Sequence, residues 1–253
     1  PGTVSGMFYV SEKFGTSNIK SLIAPSINLA RRGFALSNFQ AKNLNKYKQK
    51  FSKNEEAKKI FTRPFGFSEG DILVQKNLAS TLERIAQNGE EEFYSGETAN
   101  KIADFFQISG GILSLEDLNQ YKLRILKPVC GNYRFYEICS MAPPSSGGIA
   151  LVQILNILEN VDLSKLDHNS EEYLKILISA MDYAYRDRAK YLGDPDFSNV
   201  PQELLTSKKY ANDTYQKIQQ KKLPSKVNVN IIEGKETTHF SVVDKWGNVV
   251  SNT

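Results

Sequence analysis

The stretch Glu236-Thr237-Thr238-His239-Phe240-Ser241-Val242-Val243-Asp244 sets two adjacent hydroxyls at the head of an alternating run. Alternation of period two marks a strand. Val249 to Thr253 reads as a second strand, joined to the first by a loop containing Gly247-Asn248. A threonine hydroxyl is a weak nucleophile at its own pKa and needs a base. Cutting the chain just before the threonine frees its α-amine to be that base. Glu236-Thr237 reads as such a processing junction. On the same strand face as Thr237 and Ser241 lies His239, which serves either as a base or as a packing and hydrogen-bonding partner.

The chain has 253 residues, is 40% hydrophobic and carries a net charge of +4. That length buries a sizeable core in one or two domains. Lysines cluster between Lys42 and Lys59 and between Lys208 and Lys222, interleaved with Asn, Gln and Glu. With no recognition-helix or RNP-like pattern beside them, they read as solvated helix faces, and nucleic acid is not an expected partner. No apolar run approaches the roughly 20 residues of a membrane-spanning helix. Pro1 stands where an initiator Met is expected and Thr253 falls inside a strand, so the sequence reads as part of a longer protein, with an upstream targeting segment left open.

Working backwards from the junction, Leu223 to Lys235 is polar, contains Pro and Gly, and reads as a flexible linker. Residues 4 to about 107 read as successive amphipathic helices. Ile19, Leu22, Ile23 and Ile27 share a face that is broken or kinked near Pro25 and stopped at Gly33. Helical spacing returns from Phe39 to Phe51, from Leu78 to Asn88-Gly89, and from Ala99 to Phe106. Ser114 caps a short helix through Asp117. Two strands follow, Leu123 to Tyr133 and Tyr136 to Met141, and then an apolar helix from Ile149 to about Leu158. Asn169 and Glu172 have capping-box spacing for a long helix ending near Tyr191, with further helical segments after Pro201 and Ser207.

Cys130, Cys139, His168 and His239 show no metal-ligand spacing. With Arg134-Phe135 as a two-residue turn, the cysteines oppose each other at a non-hydrogen-bonded pair, where side chains approach most closely. A disulfide in an oxidising compartment and two buried thiols both satisfy that register. Pro143 to Gly148 lacks the spacing and lysine of a phosphate loop, and Ser145 and Ser146 fit no nucleophile elbow. A tight strand-to-helix turn capped by one of these serines is expected. Asp182, Asp187, Asp194 and Asp196 read as salt bridges and Asx-turns rather than a metal site, and His168 as a surface residue.

Paired threonines are common in strands and alone mean nothing. The ordered set of motifs is specific. The tract from Thr237 to Thr253, P-G-T-V-S-G at 1–6, L-A-R-R-G-F at 29–34, S-M-A-P-P-S-S-G-G-I at 140–149, Q-I-L-N-I-L-E at 153–159 and Y-L-G-D-P-D-F at 191–197 resemble segments of the γ-glutamyltransferases (γ-glutamyltranspeptidases). The resemblance covers the entire chain. It implies an α+β fold, part of the αββα sandwich of N-terminal-nucleophile hydrolases, mostly helical here with a C-terminal β-hairpin. Residues 1–236 correspond to the later part of a large subunit, with a hairpin near 123–141, and residues 237–253 to the start of a small catalytic subunit.

The same resemblance implies self-cleavage between Glu236 and Thr237, with Thr237 as nucleophile and Thr238 and His239 in supporting positions. It implies attack on γ-glutamyl amides such as glutathione, a γ-glutamyl ester on Thr237, and release to water or to an amino acid or peptide acceptor. The two subunits stay associated. No metal or organic cofactor is implied. The location implied is periplasmic, secreted or cell-surface. The family's carboxylate-binding arginine falls before Pro1 and its second threonine, acidic and serine ligands and oxyanion hole fall after Thr253, so residues 1–253 alone are expected to be inactive. Related readings are a cephalosporin (glutaryl) acylase, a poly-γ-glutamate-processing enzyme, and a non-catalytic scaffold homologue.

Overall fold

A computed structural model of the chain describes residues 2–220 and 238–252. The linker read at Leu223 to Lys235 and the Glu236-Thr237 bond lie outside the described residues. Contacts divide the chain into two compact units, Pro1–Arg124 and Ile125–Thr253. This division is one of packing and is independent of the covalent boundary expected at 236/237.

Unit 1 is helical. Its elements are α1 (Gly2–Phe14), α2 (Ile19–Arg32), β1 (Phe34–Ala35), α3 (Asn38–Lys46), α4 (Lys48–Phe51), α5 (Glu55–Phe61), β2 (Ile72–Leu73), α6 (Lys76–Asn88), α7 (Glu91–Tyr94), α8 (Glu97–Ile108) and α9 (Leu115–Asn119). Helix α2 runs through Pro25, where a break or kink was expected. Its packing against α6 holds the turn despite the missing N–H. The stop falls at Gly33, whose φ of +82° suits glycine and whose N–H bonds to the Leu29 carbonyl. The all-helical reading missed β1 and β2, which pair antiparallel as Phe34↔Leu73 and Ala35↔Ile72. Two residues leave no periodic trace. Around this pair Leu36, Ala41, Phe67 and Leu73 form a buried cluster.

A second anchor of unit 1 is polar. Glu92, only 5% exposed, accepts hydrogen bonds from Arg84 Nε (3.0 Å), Thr98 N (3.0 Å), Thr98 Oγ1 (2.8 Å) and Asn88 Nδ2 (3.3 Å). This carboxylate joins α6, α7 and α8. As expected, α6 ends at Gly89, and Ser114 makes a reciprocal capping box with Asp117.

In unit 2, β3 (Val129–Tyr133) and β4 (Tyr136–Ser140) form a hairpin. The ladder is shorter than the strands read from sequence, because β4 ends at Ser140, the partner of Val129, and nothing faces residues 123–128 in that ladder. Helices α10 (Gly147–Leu158), α11 (Glu171–Tyr191), α12 (Gln202–Leu205) and α13 (Lys208–Gln219) follow. One buried cluster joins Ile157 and Leu158 to Ile176, Ala180 and Ala211. Another joins Val129 of the hairpin to Ile149, Val152 and Leu205. Full burial of an isoleucine, leucine or valine side chain in these clusters contributes about 1.5–3 kcal/mol. The cap of α11 is Ser170, one residue later than expected, with its Oγ accepting from Tyr173 N at 3.3 Å. Asn169 takes φ +60°, a left-handed conformation that asparagine tolerates, so the extended backbone a cap needs falls on Ser170. The last elements are β5 (Phe240–Val243) and β6 (Val249–Asn252), paired antiparallel as Phe240↔Asn252 through Val243↔Val249.

Candidate active site: the Thr237 junction and its surroundings

Among the described residues, Thr238 and His239 lead directly into β5 and both are exposed. Among the described residues strand pairing starts at Phe240, opposite Asn252, and the expected start at Thr237 lies outside the described residues. The face reading is borne out for the described positions. His239 Nε2 lies 3.2 Å from Ser241 Oγ and 3.4 Å from Ser251 Oγ, and Ser241 and Ser251 are cross-strand partners. His239 therefore ties the two strands together at the end nearest the junction. At the far end the Asp244 carboxylate accepts from Trp246 N, Asn248 N and Asn248 Nδ2 at 2.8–2.9 Å, and Gly247 turns with φ +86°. The side-chain amide of Asn248 and these backbone donors hold the Asp244 carboxyl below its usual range. Thr238 and His239 thus lead into a hairpin pinned at both ends.

Cys130 and Cys139 face each other in the register expected, and their sulfurs are bonded, with Cα atoms 4.1 Å apart. Arg134 begins the turn with φ +54°. Glu137 brings a carboxylate within 4.8 Å of both sulfurs, but the disulfide consumes them as metal ligands. Both cysteines are exposed, in contrast to the buried thiols of the other reading.

The turn from β4 into α10 is the strand-to-helix connection expected at Pro143–Gly148. Ser145 Oγ accepts from Gly147 N at 3.2 Å, while Ser146 Oγ accepts from Arg188 Nε at 2.8 Å. Gly148 is required there, since a Cβ would sit 2.3 Å from the Met141 carbonyl oxygen. Asp182 and Asp194 behave as read, while Asp187 is bound by neutral donors. Asp182 pairs with Arg186 at 2.9 Å and Asp194 Oδ1 accepts from Asp196 N at 3.0 Å. Asp187 Oδ2 accepts from Gln153 Nε2 (2.6 Å) and Tyr210 OH (2.9 Å). Burial and the Asp187 hydrogen bond both push the Tyr210 hydroxyl pKa up. His168 is exposed, as expected.

Sequence reasoning passed over Gln153, Asn156 and Lys208. Gln153 and Asn156 are 1–2% exposed, on a helix otherwise apolar. Lys208 Nζ donates to Asn156 Oδ1 (2.6 Å), the Asn132 carbonyl and Glu159, whose second oxygen accepts from Arg134 N (2.6 Å). This network joins α13 and α10 to the disulfide hairpin. Lys208 foremost, with the Arg134 N–H, draws the Glu159 carboxyl below its usual range. Two amides three residues apart in an apolar helix were the available signal, because buried amides require partners.

Comparison with solved structures places this α+β arrangement in the N-terminal-nucleophile hydrolase class. A crystal structure of Helicobacter pylori gamma-glutamyltranspeptidase matches with a TM-score of 0.85 and 40% identity, covering 93% of this chain and 70% of that one. The chain belongs to the gamma-glutamyltranspeptidase family, whose sequence profile matches residues 1–253. The glutathione hydrolase proenzyme of Escherichia coli K12 is 44% identical over 262 residues, covering 100% of this chain and 45% of that protein. The acylase ACY 1 proenzyme of Pseudomonas sp. V22 is 32% identical over 256 residues, covering 100% and 46%. The chain therefore spans about half the length of the curated relatives it matches.

Proposed function

We propose that the protein of which this chain is part is a γ-glutamyl acyltransferase and hydrolase that matures by cutting itself between Glu236 and Thr237. The observation that carries this reading is the family match across the whole chain, including the Thr237-Thr238-His239-Phe240 tract, whose described residues from Thr238 lead into a pinned hairpin. The relatives' designation as proenzymes supports maturation, and 44% identity to a glutathione hydrolase against 32% to an acylase supports the γ-glutamyl substrate class.

In maturation the Thr237 hydroxyl attacks the Glu236 carbonyl and displaces the Thr237 nitrogen, giving an ester. Water hydrolyses that ester to a Glu236 carboxylate, a restored hydroxyl and a free α-amine. With a pKa near 7.7–8.0, such an amine is partly neutral at physiological pH. It takes the hydroxyl proton as Thr237 attacks the γ-carbonyl of glutathione or a related amide, and returns a proton to the departing amine. The γ-glutamyl ester on Thr237 then passes to water or to an amino acid or peptide amine. The large and small subunits produced by the cut remain partners. The Cys130–Cys139 disulfide supports a periplasmic, secreted or cell-surface location.

The test uses the intact parent protein. Mass spectrometry should find a new N-terminus at Thr237, and Thr237→Ala should leave one uncut, inactive chain. Mature wild type should release γ-glutamate from a γ-glutamyl anilide, faster with glycylglycine present, with activity rising as pH passes the amine pKa. Normal maturation of Thr237→Ala would refute the nucleophile assignment. Turnover of glutaryl but not γ-glutamyl amides would move the protein to the acylase branch.

A further inference from the structure

Unit 1 carries a charge concentration that γ-glutamyl chemistry does not use. Residues 38–63 hold eight basic side chains against Glu55 and Glu56, a net charge of +6 where the whole chain is +4, so the remainder is −2. The structure sorts these cations. Lys58 and Lys59 pair with Glu55 and Glu56 at 3.5 and 2.5 Å, and Arg63 pairs with Asp71 at 3.1 Å. Lys42, Lys46, Lys50 and Lys53 are exposed and have no ionic partner among the described residues.

Two aromatic rings of the same stretch of chain also face water. Phe39 on α3 is 74% exposed and shares a helical face with Lys42 and Lys46. Phe65 is fully exposed at the tip of a braced loop. Pro64 is held by Lys48 Nζ (2.9 Å), and Phe67 by both ends of the Asn45 amide (2.7 and 2.8 Å), while Gly66 turns with φ +79°. The bracing keeps the ring from folding back onto the unit. The cost of showing water a fixed phenylalanine is recovered only against a partner with apolar depth.

We propose that this basic segment, residues 39–65, docks peripherally on an anionic lipid bilayer, with the four lysines over the headgroups and Phe39 and Phe65 entering the interfacial layer. Cations flanking apolar wedges match such a surface in both charge and polarity. Single-stranded nucleic acid also offers phosphate and stacking, but the disulfide points to a compartment where it is scarce.

The experiment is co-sedimentation of the full-length parent protein with vesicles of phosphatidylcholine alone or with 30% phosphatidylglycerol. Wild type should partition onto the anionic vesicles only and dissociate in high salt. Each lysine is worth roughly fivefold near such a surface, so joint Lys42→Glu, Lys46→Glu, Lys50→Glu and Lys53→Glu should lower partitioning at least about 100-fold. Phe65→Ser should lower it roughly tenfold without changing its salt dependence. Circular dichroism and γ-glutamyl turnover should match wild type in both variants, separating loss of docking from misfolding. Equal partitioning on both vesicle types, none on either, or an unaffected lysine variant would overturn the proposal. So would Phe65-dependent binding of a single-stranded oligonucleotide by a protein that ignores anionic vesicles.

Discussion

Replacing Glu92 with Gln tests whether charge, and not only shape, holds α6, α7 and α8 together. Burial pushes the Glu92 carboxyl up, but hydrogen bonds from the Thr98 side chain, Asn88, Arg84 and the Thr98 backbone outweigh it, lowering the pKa from 4.5 to about 2. At 1.36 kcal/mol per unit this amounts to at most about 3.4 kcal/mol. Arg84 is 21% exposed, and solvent screening there brings the expected contribution down to about 2 kcal/mol. Because the folded pKa is depressed, the stabilisation is fully present above pH 4.5 and fades as pH falls towards 2. Glutamine can keep its oxygen on the Arg84 and Thr98 donors, so the variant chiefly removes charge. Hydrogen exchange of segment 91–100 in the full-length protein should be about 30-fold faster in Glu92→Gln than in wild type at pH 7. The ratio should approach one near pH 2, and comparing both proteins at each pH cancels the intrinsic exchange chemistry. A ratio below about 3 at pH 7, or one equally large at both pH values, would refute the reasoning.

Replacing both Cys130 and Cys139 by serine opens a ten-residue loop that chain entropy values at about 2–3 kcal/mol. Thermal denaturation should show a drop of several degrees, matched by wild type in reductant and absent for the variant in reductant. Gly131→Ala would drive a Cβ to 2.5 Å from Val152 Cγ1, at a cost of about 1–3 kcal/mol. Adding Val152→Ala should recover part of that loss, measured by the same melting experiment.

Local chemistry was legible along the chain. The stop at Gly89, the Ser114–Asp117 box and the strand-to-helix turn before α10 each involve residues within a few positions of one another. The cysteine register followed from counting outward from a two-residue turn, since strand pairing in a tight hairpin is set by its turn. The family was legible in the ordered motifs, and with it the role expected of Thr237.

Tertiary structure decided what depends on distant residues. Pro25 sits within an unbroken helix because α6 packs along α2, and Phe34–Ala35 becomes a strand only because Ile72–Leu73 lies beside it. Asp187 finds Gln153 and Tyr210, 34 and 23 residues away in sequence, where α10, α11 and α13 converge. The seam of His239 on Ser251 needed the register of β5 on β6. The exposure of Phe65 needed the loop to be closed onto Asn45 and Lys48. Local preferences are satisfied within one or two turns of backbone and so are written in adjacent letters. Partners brought together by loop closure are chosen by packing, a property of the whole unit that no short window of sequence contains.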